Sequence, residues 1–295
     1  MIRADRHAGF SLVELLVAIG IIGILIGMLV PDIQQSREAA RRVQCNSHLH
    51  QIGVAINSYV DAKKTIPPCQ LSPSHLSLHV ALLPYIEHND LFKQFDLSKP
   101  YLLDPNINSL MNTRITLYQC PSTPAMPAVT HYAACTGTGR GEYDGVCVPD
   151  VLAIDPAAIR DGLSSTVAVS ETVSSGPLGV VRDTPHTEPF EHALEVCRNS
   201  HPSRWTDFPI GMPWVSGLTG DTVYNHALQP NSPTCTNWSS RDVRIGFYSA
   251  ASHHPGGVNV LYTDGHVTFV SNSVLVSVWR AMATRNGAEL DLHGR

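Results

Sequence analysis

The chain has 295 residues, 43% hydrophobic and 15% charged, with a formal net charge of −5. That is ample material for a core, but charge is sparse against the ~25% of typical soluble domains, and 21 Gly with 21 Pro imply many turns. No basic tract follows the apolar segment near the N-terminus, which excludes a nucleic-acid footprint. The seven cysteines, at 45, 69, 120, 135, 147, 197 and 235, contain no C-x-x-C and favour structural bridges in an oxidising compartment over a zinc ribbon or thioredoxin-like site. At least one of them stays unpaired in a monomer.

The first element is the run from His7 to Val30, HAGFSLVELLVAIGIIGILIGMLV, whose only carboxylate is Glu14. Leu12 to Val30 gives roughly 28 Å of helix at about 1.5 Å per residue, close to the ~30 Å hydrocarbon core of a bilayer. A charge inside such a span costs about 2.5 to 3.5 kcal/mol on insertion scales, so Glu14 calls for a functional reason and a partner. A secretory signal peptide has a shorter apolar region and ends at a small-residue site, for which Pro31-Asp32 is a poor substitute. A plain signal anchor is the other alternative. Arg3 and Arg6 on one side face Arg37, Arg41 and Arg42 on the other, so charge alone does not orient the span.

Gly9, Phe10 and Glu14 in G-F-S-L-V-E-L-L-V-A-I resemble the cleavage and methylation motif of type IV prepilins and type II secretion pseudopilins. The resemblance implies cleavage between Gly9 and Phe10 by prepilin peptidase, N-methylation of Phe10, and Glu14 as the carboxylate that meets a neighbouring subunit's N-terminal amine. It implies a leader over 1–9, a transmembrane half-helix over 10–30, an orientation with the leader inside and the body outside, and a bend at Pro31, which removes one helical hydrogen bond.

Beyond Pro31, Ile33, Ala40, Val43, Ile52, Ile56 and Tyr59 recur at three-to-four-residue spacing and predict an amphipathic half-helix over 31–64, ended by Ile66-Pro67-Pro68. Its apolar stripe needs a sheet to cover it. The stretches RRVQCNSHLHQIGVAINSYVDAKKTIPP, LLPYIEHNDLFKQFD, YQCPS, IRDGLSSTVAVSE and HHPGGVNVLYTDGHVTF widen the resemblance to a large bacterial domain-of-unknown-function family. Its members join a prepilin-like N-terminus to a signature of His, nine residues, then Asp-Gly, which reads here as His254 to Asp264-Gly265. That family implies an architecture and no reaction.

The body over 65–295 reads as α+β. A helical piece is expected near Leu76 to Phe95, and strands near Ile115 to Tyr118, Thr166 to Ser170 and Val258 to Val270. A last helix is expected near Val274 to Thr284. Residues 174–240, rich in Pro, His, Trp and Gly, read as a long loop insertion closed by Cys197 and Cys235, with Cys135–Cys147 the next expected bridge. Asp161-Gly162 reads as a turn into a strand that Glu171 closes. Val258 to Thr263, the Asp264-Gly265 turn and His266 to Val270 read as a hairpin over 258–270, placing Val258, Val260 and Tyr262 with Val267 and Phe269 on one face against the long helix. On that reading His254 and Asp264 are too far apart for a shared ion, their role is in folding, and Gly265→Val costs more than His254→Ala.

His186, Glu188 and His192, and His253, His254 and His266, have no diagnostic ligand spacing, so the expected metal and cofactor set is empty. No nucleophile elbow, phosphate loop or dinucleotide fingerprint occurs, and TGTGRGEYDG lacks the register of the last, so no enzyme activity is expected. The sequence therefore reads as a pilin-like α+β protein: a long N-terminal helix, half membrane and half amphipathic, packed on an antiparallel sheet with long loop insertions. It is expected to be single-pass in the inner membrane, with its body in the periplasm or at the cell surface. Its partners would be prepilin peptidase, pilus or type II secretion machinery, and copies of itself or other pilin-like subunits. The alternative is a membrane-anchored extracytoplasmic binding protein for polysaccharide or protein, which would expose Trp205, Trp214 and Trp238 together.

Overall fold

The computed structural model describes residues 12–124, 126–139, 143–149, 154–173, 180–182, 190–199, 211–236 and 246–287. One helix, α1 (Leu12–Lys63), runs for 52 residues with Pro31 inside it, about 78 Å at 1.5 Å per residue. It ends where Lys64 takes a φ of 63°, the left-handed exit common at helix C-termini. Its first half is exposed to solvent among the described residues, with Leu12, Leu16, Ile22, Leu25 and Met28 all open. Its second half buries Cys45, Leu49, Ile52, Ala55 and Ile56 on one stripe. Ile33 and Val43, expected on that stripe, are exposed, because the side of the helix carrying Cys45 faces the body and theirs does not.

The chain continues through β1 (Gln70–Leu71), β2 (Leu76–Ser77), α2 (Leu78–Leu82), α3 (Asn89–Phe92) and α4 (Ile107–Met111). The expected single helix near 76–95 is thus a strand and two short helices joined by a 3-10 turn at Leu83–Tyr85, where Pro84 lacks the donor that would extend the first. The expected strand at Ile115 to Tyr118 is a 3-10 turn over Thr116–Tyr118. It aims the Tyr118 ring at His79 and Trp214, and the Tyr118 hydroxyl donates to the His79 carbonyl at 2.7 Å.

The remaining elements are β3 (Tyr132–Cys135), β4 (Val167–Glu171), β5 (Val180–Arg182), α5 (Phe190–Asn199), β6 (Val223–Tyr224), β7 (Thr234–Thr236), β8 (Gly246–Phe247), β9 (Gly257–Tyr262), β10 (Val267–Ser271) and α6 (Val276–Ala281). The main sheet has the order β10-β9-β4-β3-β6. It is mixed, not antiparallel as expected: β6 lies parallel to β3. Because β6 falls within 174–240, that region is not only an insertion; it supplies a strand of the main sheet, too short to leave a periodic signal. Two of its strands, β5 and β7, form a small sheet with β8 in the order β5-β7-β8, with Ala193, Leu194 and Cys197 of α5 in one apolar cluster with Cys235 and Phe247.

The sheet alternates except in β4, where a bulge between Val167 and Val169 puts the adjacent Ala168 and Val169 in one cluster. Tyr132, Ala134, Val169, Val223 and Leu261 face the core under α1, whereas Ala133, Cys135, Val167, Tyr224, Val258 and Val260 face Trp279 of α6. The hairpin register differs by one from the expected two-residue turn, since Val267 pairs with Leu261 and Val270 with Val258. Tyr262 N–H donates to the His266 carbonyl, Gly265 N–H donates to the Tyr262 carbonyl, and Gly265 has a φ of 99°, the three-residue loop that ends in a left-handed glycine. One residue of slip exchanges the faces. Leu261 with Val267, not Val258 with Val260, therefore packs toward α1. The helix comes close there because Gly53 has no side chain: a Cβ would lie 2.8 Å from Leu261 Cδ1.

Candidate functional site: a histidine between two carboxylates and a disulfide

Glu38 and Cys45 lie seven residues apart on α1, two turns that return to nearly the same face. Opposite them stand Cys120, just after the 3-10 turn, Glu171 at the end of β4, and His254 in the turn before β9. Cys45 and Cys120 form a disulfide. His254 is 2% exposed. Its Nδ1 donates to Glu38 Oε1 at 2.7 Å and its Nε2 to Glu171 Oε1 at 3.1 Å, while Cys120 Sγ lies 3.6 Å from that Nε2.

Each carboxylate is held in turn. Glu171 accepts from Asn259 N–H at 2.7 Å on Oε2 and from Asn259 Nδ2 at 2.9 Å on Oε1. Glu38 pairs with Arg41 Nη2 at 2.7 Å and accepts from Ser122 Oγ at 3.0 Å. Burial disfavours the imidazolium, but Glu171 first and then Glu38 outweigh it, so His254 titrates above its ordinary range. Burial pushes the Glu38 carboxyl upward, but His254, Arg41 and Ser122 outweigh it and hold the group below the usual value. The cluster is an ionic clamp that joins the helix to the sheet beside a covalent one.

Two neutral histidines flank it. His131 Nδ1 accepts from Cys120 N–H at 2.9 Å, and burial, then His253, lowers its pKa to about 4. Its Nε2 and that of His253 are both buried with no hydrogen-bond partner among the described residues. His48 bonds the Gln119 carbonyl at 3.0 Å, and both residues line a groove of about 620 Å³ together with Arg41, Arg114 and Ser122.

The other expected site residues fall as follows. Gly9 and Phe10 lie outside the described residues, as do His186, Glu188, Trp205 and Trp238. Glu14 is a residue of α1 whose side chain is also outside them. The Cys197–Cys235 bridge is present. The expected Cys135–Cys147 bridge is absent: Cys147 bonds Cys69, and Cys135 is a free thiol whose pKa burial pushes up to about 12. The two backbones touch, Cys147 N–H donating to the Cys135 carbonyl, but Cys135 points to the α6 side of the sheet and Cys147 to the α1 side.

His254 and Asp264 belong to different clusters. Asp264 Oδ1 pairs with His266 Nδ1 at 2.6 Å, and the His266 ring stacks on Tyr262. His192 is exposed on α5, and Trp214 is buried with its Nε1 donating to the Met111 carbonyl. Gly162 has the φ of 96° that its turn needs, and Asp161 Oδ2 accepts from Thr284 Oγ1. The sequence reading missed Glu38 and the Cys45–Cys120 pair. The seven-residue spacing of Glu38 and Cys45 was the available signal.

Burial of His254 also reverses the expected ranking of two substitutions. Gly265→Val places a β-branched residue at positive φ, worth ~1–3 kcal/mol of strain, beside Asn57. His254→Ala strands the buried Glu171 carboxylate, on the order of 3–5 kcal/mol. Thermal unfolding should rank His254→Ala as the more damaging; a larger loss for Gly265→Val would remove the clamp from the account.

A free apolar half-helix and a body clamped to its other half define a membrane-anchored protein with a prepilin-type leader, and the prokaryotic N-terminal methylation motif matches residues 5–30. The family described as protein of unknown function DUF1559 matches residues 34–276, and the chain belongs to it. Neither a curated protein nor a solved structure matches the chain. The methylation motif implies pilin-like processing by prepilin peptidase.

Proposed function

We propose that this chain is a pilin-like or pseudopilin-like structural subunit of a type IV pilus or type II secretion-like system, with no enzymatic activity. The observation that carries this reading is the apolar half of α1, whose large hydrophobic side chains from Leu12 to Val30 are exposed and which the methylation motif covers over residues 5–30. Such a rod is stable only in lipid or against other apolar helices. Before assembly it anchors the chain in the inner membrane, with the body on the periplasmic side or at the surface. On assembly Glu14 of one copy accepts the cleaved N-terminal amine of another, an attraction that low dielectric strengthens. The clamp at Glu38, His254 and Cys45 fixes the body at one angle to the rod.

The groove beside the clamp favours a second reading, a membrane-anchored binding protein for polysaccharide or protein that uses the prepilin route for export. Buried Trp214 does not contribute to the aromatic surface this reading expected. Shearing and fractionation separate the two. The native chain should pellet with sheared filaments, and Glu14→Gln should be cleaved normally yet leave that fraction. A chain that stays a solitary membrane monomer, or a Glu14→Gln variant that assembles like wild type, supports the binding reading instead.

A further inference from the structure

We propose that Cys45, Cys120, His254 and Glu171 form a zinc site when the Cys45–Cys120 disulfide is reduced, so that this junction holds either a covalent bond or a divalent cation. One ligand atom from each residue lies within 4.8 Å of all the others, and all four residues are buried. A tetrahedral zinc ion with bonds of 2.0–2.3 Å has ligand-to-ligand edges of about 3.3–3.8 Å. His254 Nε2 already lies 3.1 Å from Glu171 Oε1 and 3.6 Å from Cys120 Sγ. Two thiolates, an imidazole and a carboxylate match the ligand number and chemistry of structural zinc.

The surroundings are those a zinc ligand requires. A metal-bound histidine donates its other ring N–H to a carboxylate, which fixes its orientation and tautomer. His254 Nδ1 makes that bond to Glu38 Oε1 at 2.7 Å, and Arg41 and Ser122 secure Glu38. Glu171 Oε2 is held by Asn259 N–H and Oε1 accepts from Asn259 Nδ2; a carboxylate oxygen has a second lone pair, and the one on Oε1 that now meets His254 Nε2 is the one the ion takes. The other two disulfides, Cys69–Cys147 and Cys197–Cys235, are not part of this ligand group.

The reaction balances with a dithiol as reductant. One thiolate of the dithiol attacks a sulfur of the bridge to give a mixed disulfide, and its second thiol displaces the protein sulfur. Two electrons and two protons pass to Cys45 and Cys120, and the dithiol leaves as its disulfide. Zinc then displaces both thiol protons and the proton on His254 Nε2, three in all, while the Nδ1 proton stays on the ring in its hydrogen bond to Glu38 Oε1. The ion replaces the lost tether between α1 and the sheet.

The test uses the full chain in detergent, reduced with a dithiol, freed of it without air, and titrated with cobalt(II). One equivalent should bind with tetrahedral visible bands and a thiolate charge-transfer band, and zinc should displace it. His254→Ala should abolish that spectrum, Glu38→Gln should keep the fold and weaken binding about 10- to 100-fold, and Cys69→Ser should leave it unchanged. Absence of the tetrahedral spectrum in the reduced wild type, or a spectrum indifferent to His254 and Glu38 or abolished by Cys69→Ser, would overturn the proposal.

Discussion

Lowering the pH from 6.5 to 4 should destabilise the body by several kcal/mol, because three buried histidines resist protonation. Burial lowers His79 and His131 to about 4 and His226 to about 3. In the unfolded chain each takes up a proton near 6.5, so below that value the unfolded state binds more protons and stability falls with falling pH. A group shifted from 6.5 to about 4 contributes on the order of 3 kcal/mol once fully expressed, and total stabilities are only ~5–15 kcal/mol. His226 illustrates the cause: its ring stacks on Trp279 at 3.5 Å and bonds the Trp279 carbonyl and the Tyr224 hydroxyl, with no carboxylate among these contacts. Urea midpoints of the detergent-solubilised chain should already drop between pH 6.5 and 5, above the ordinary carboxylate range. A flat midpoint across that interval would show that these rings are not held neutral.

Glu171→Ala should cost on the order of 3–5 kcal/mol, the price of breaking a buried ion pair from one side. The residue is 1% exposed, and its loss strips partners from His254 Nε2 and from both the N–H and Nδ2 of Asn259. Glu38→Ala should cost less, about 1.5–3 kcal/mol, because the Glu38 side chain is 22% exposed and water reaches what it leaves. The pH sign is opposite to that of the other histidines. His254 is raised by its carboxylates, so its contribution is complete below the ordinary imidazole value and is lost as pH rises through the raised one. The gap between wild type and His254→Gln should therefore close at alkaline pH. Equal losses for the two glutamates, or a gap that widens with pH, would contradict the clamp.

The long helix and the C-terminal hairpin were legible because each carries a sustained pattern: apolar spacing over α1, and Asp264-Gly265 between apolar runs. The pairing register was not, since it turns on whether Gly265 closes a two- or a three-residue loop, and one residue exchanges the faces of Val260 and Leu261. The parallel strand Val223–Tyr224 was illegible because two residues have no period. Cys197–Cys235 could be read from the region it closes, whereas Cys45–Cys120 and Cys69–Cys147 join residues 75 and 78 apart that only the tertiary fold brings together. His254 stood out in the sequence, but its partners Glu38 and Glu171 come from α1 and β4.

The most direct test of the central claim is the N-terminal mass of the native protein extracted from membranes. That mass should be the mass of a chain that begins at Phe10, methylated on its amine, with Glu14 unmodified. A chain that still begins at Met1, or one that begins beyond Val30, would contradict it.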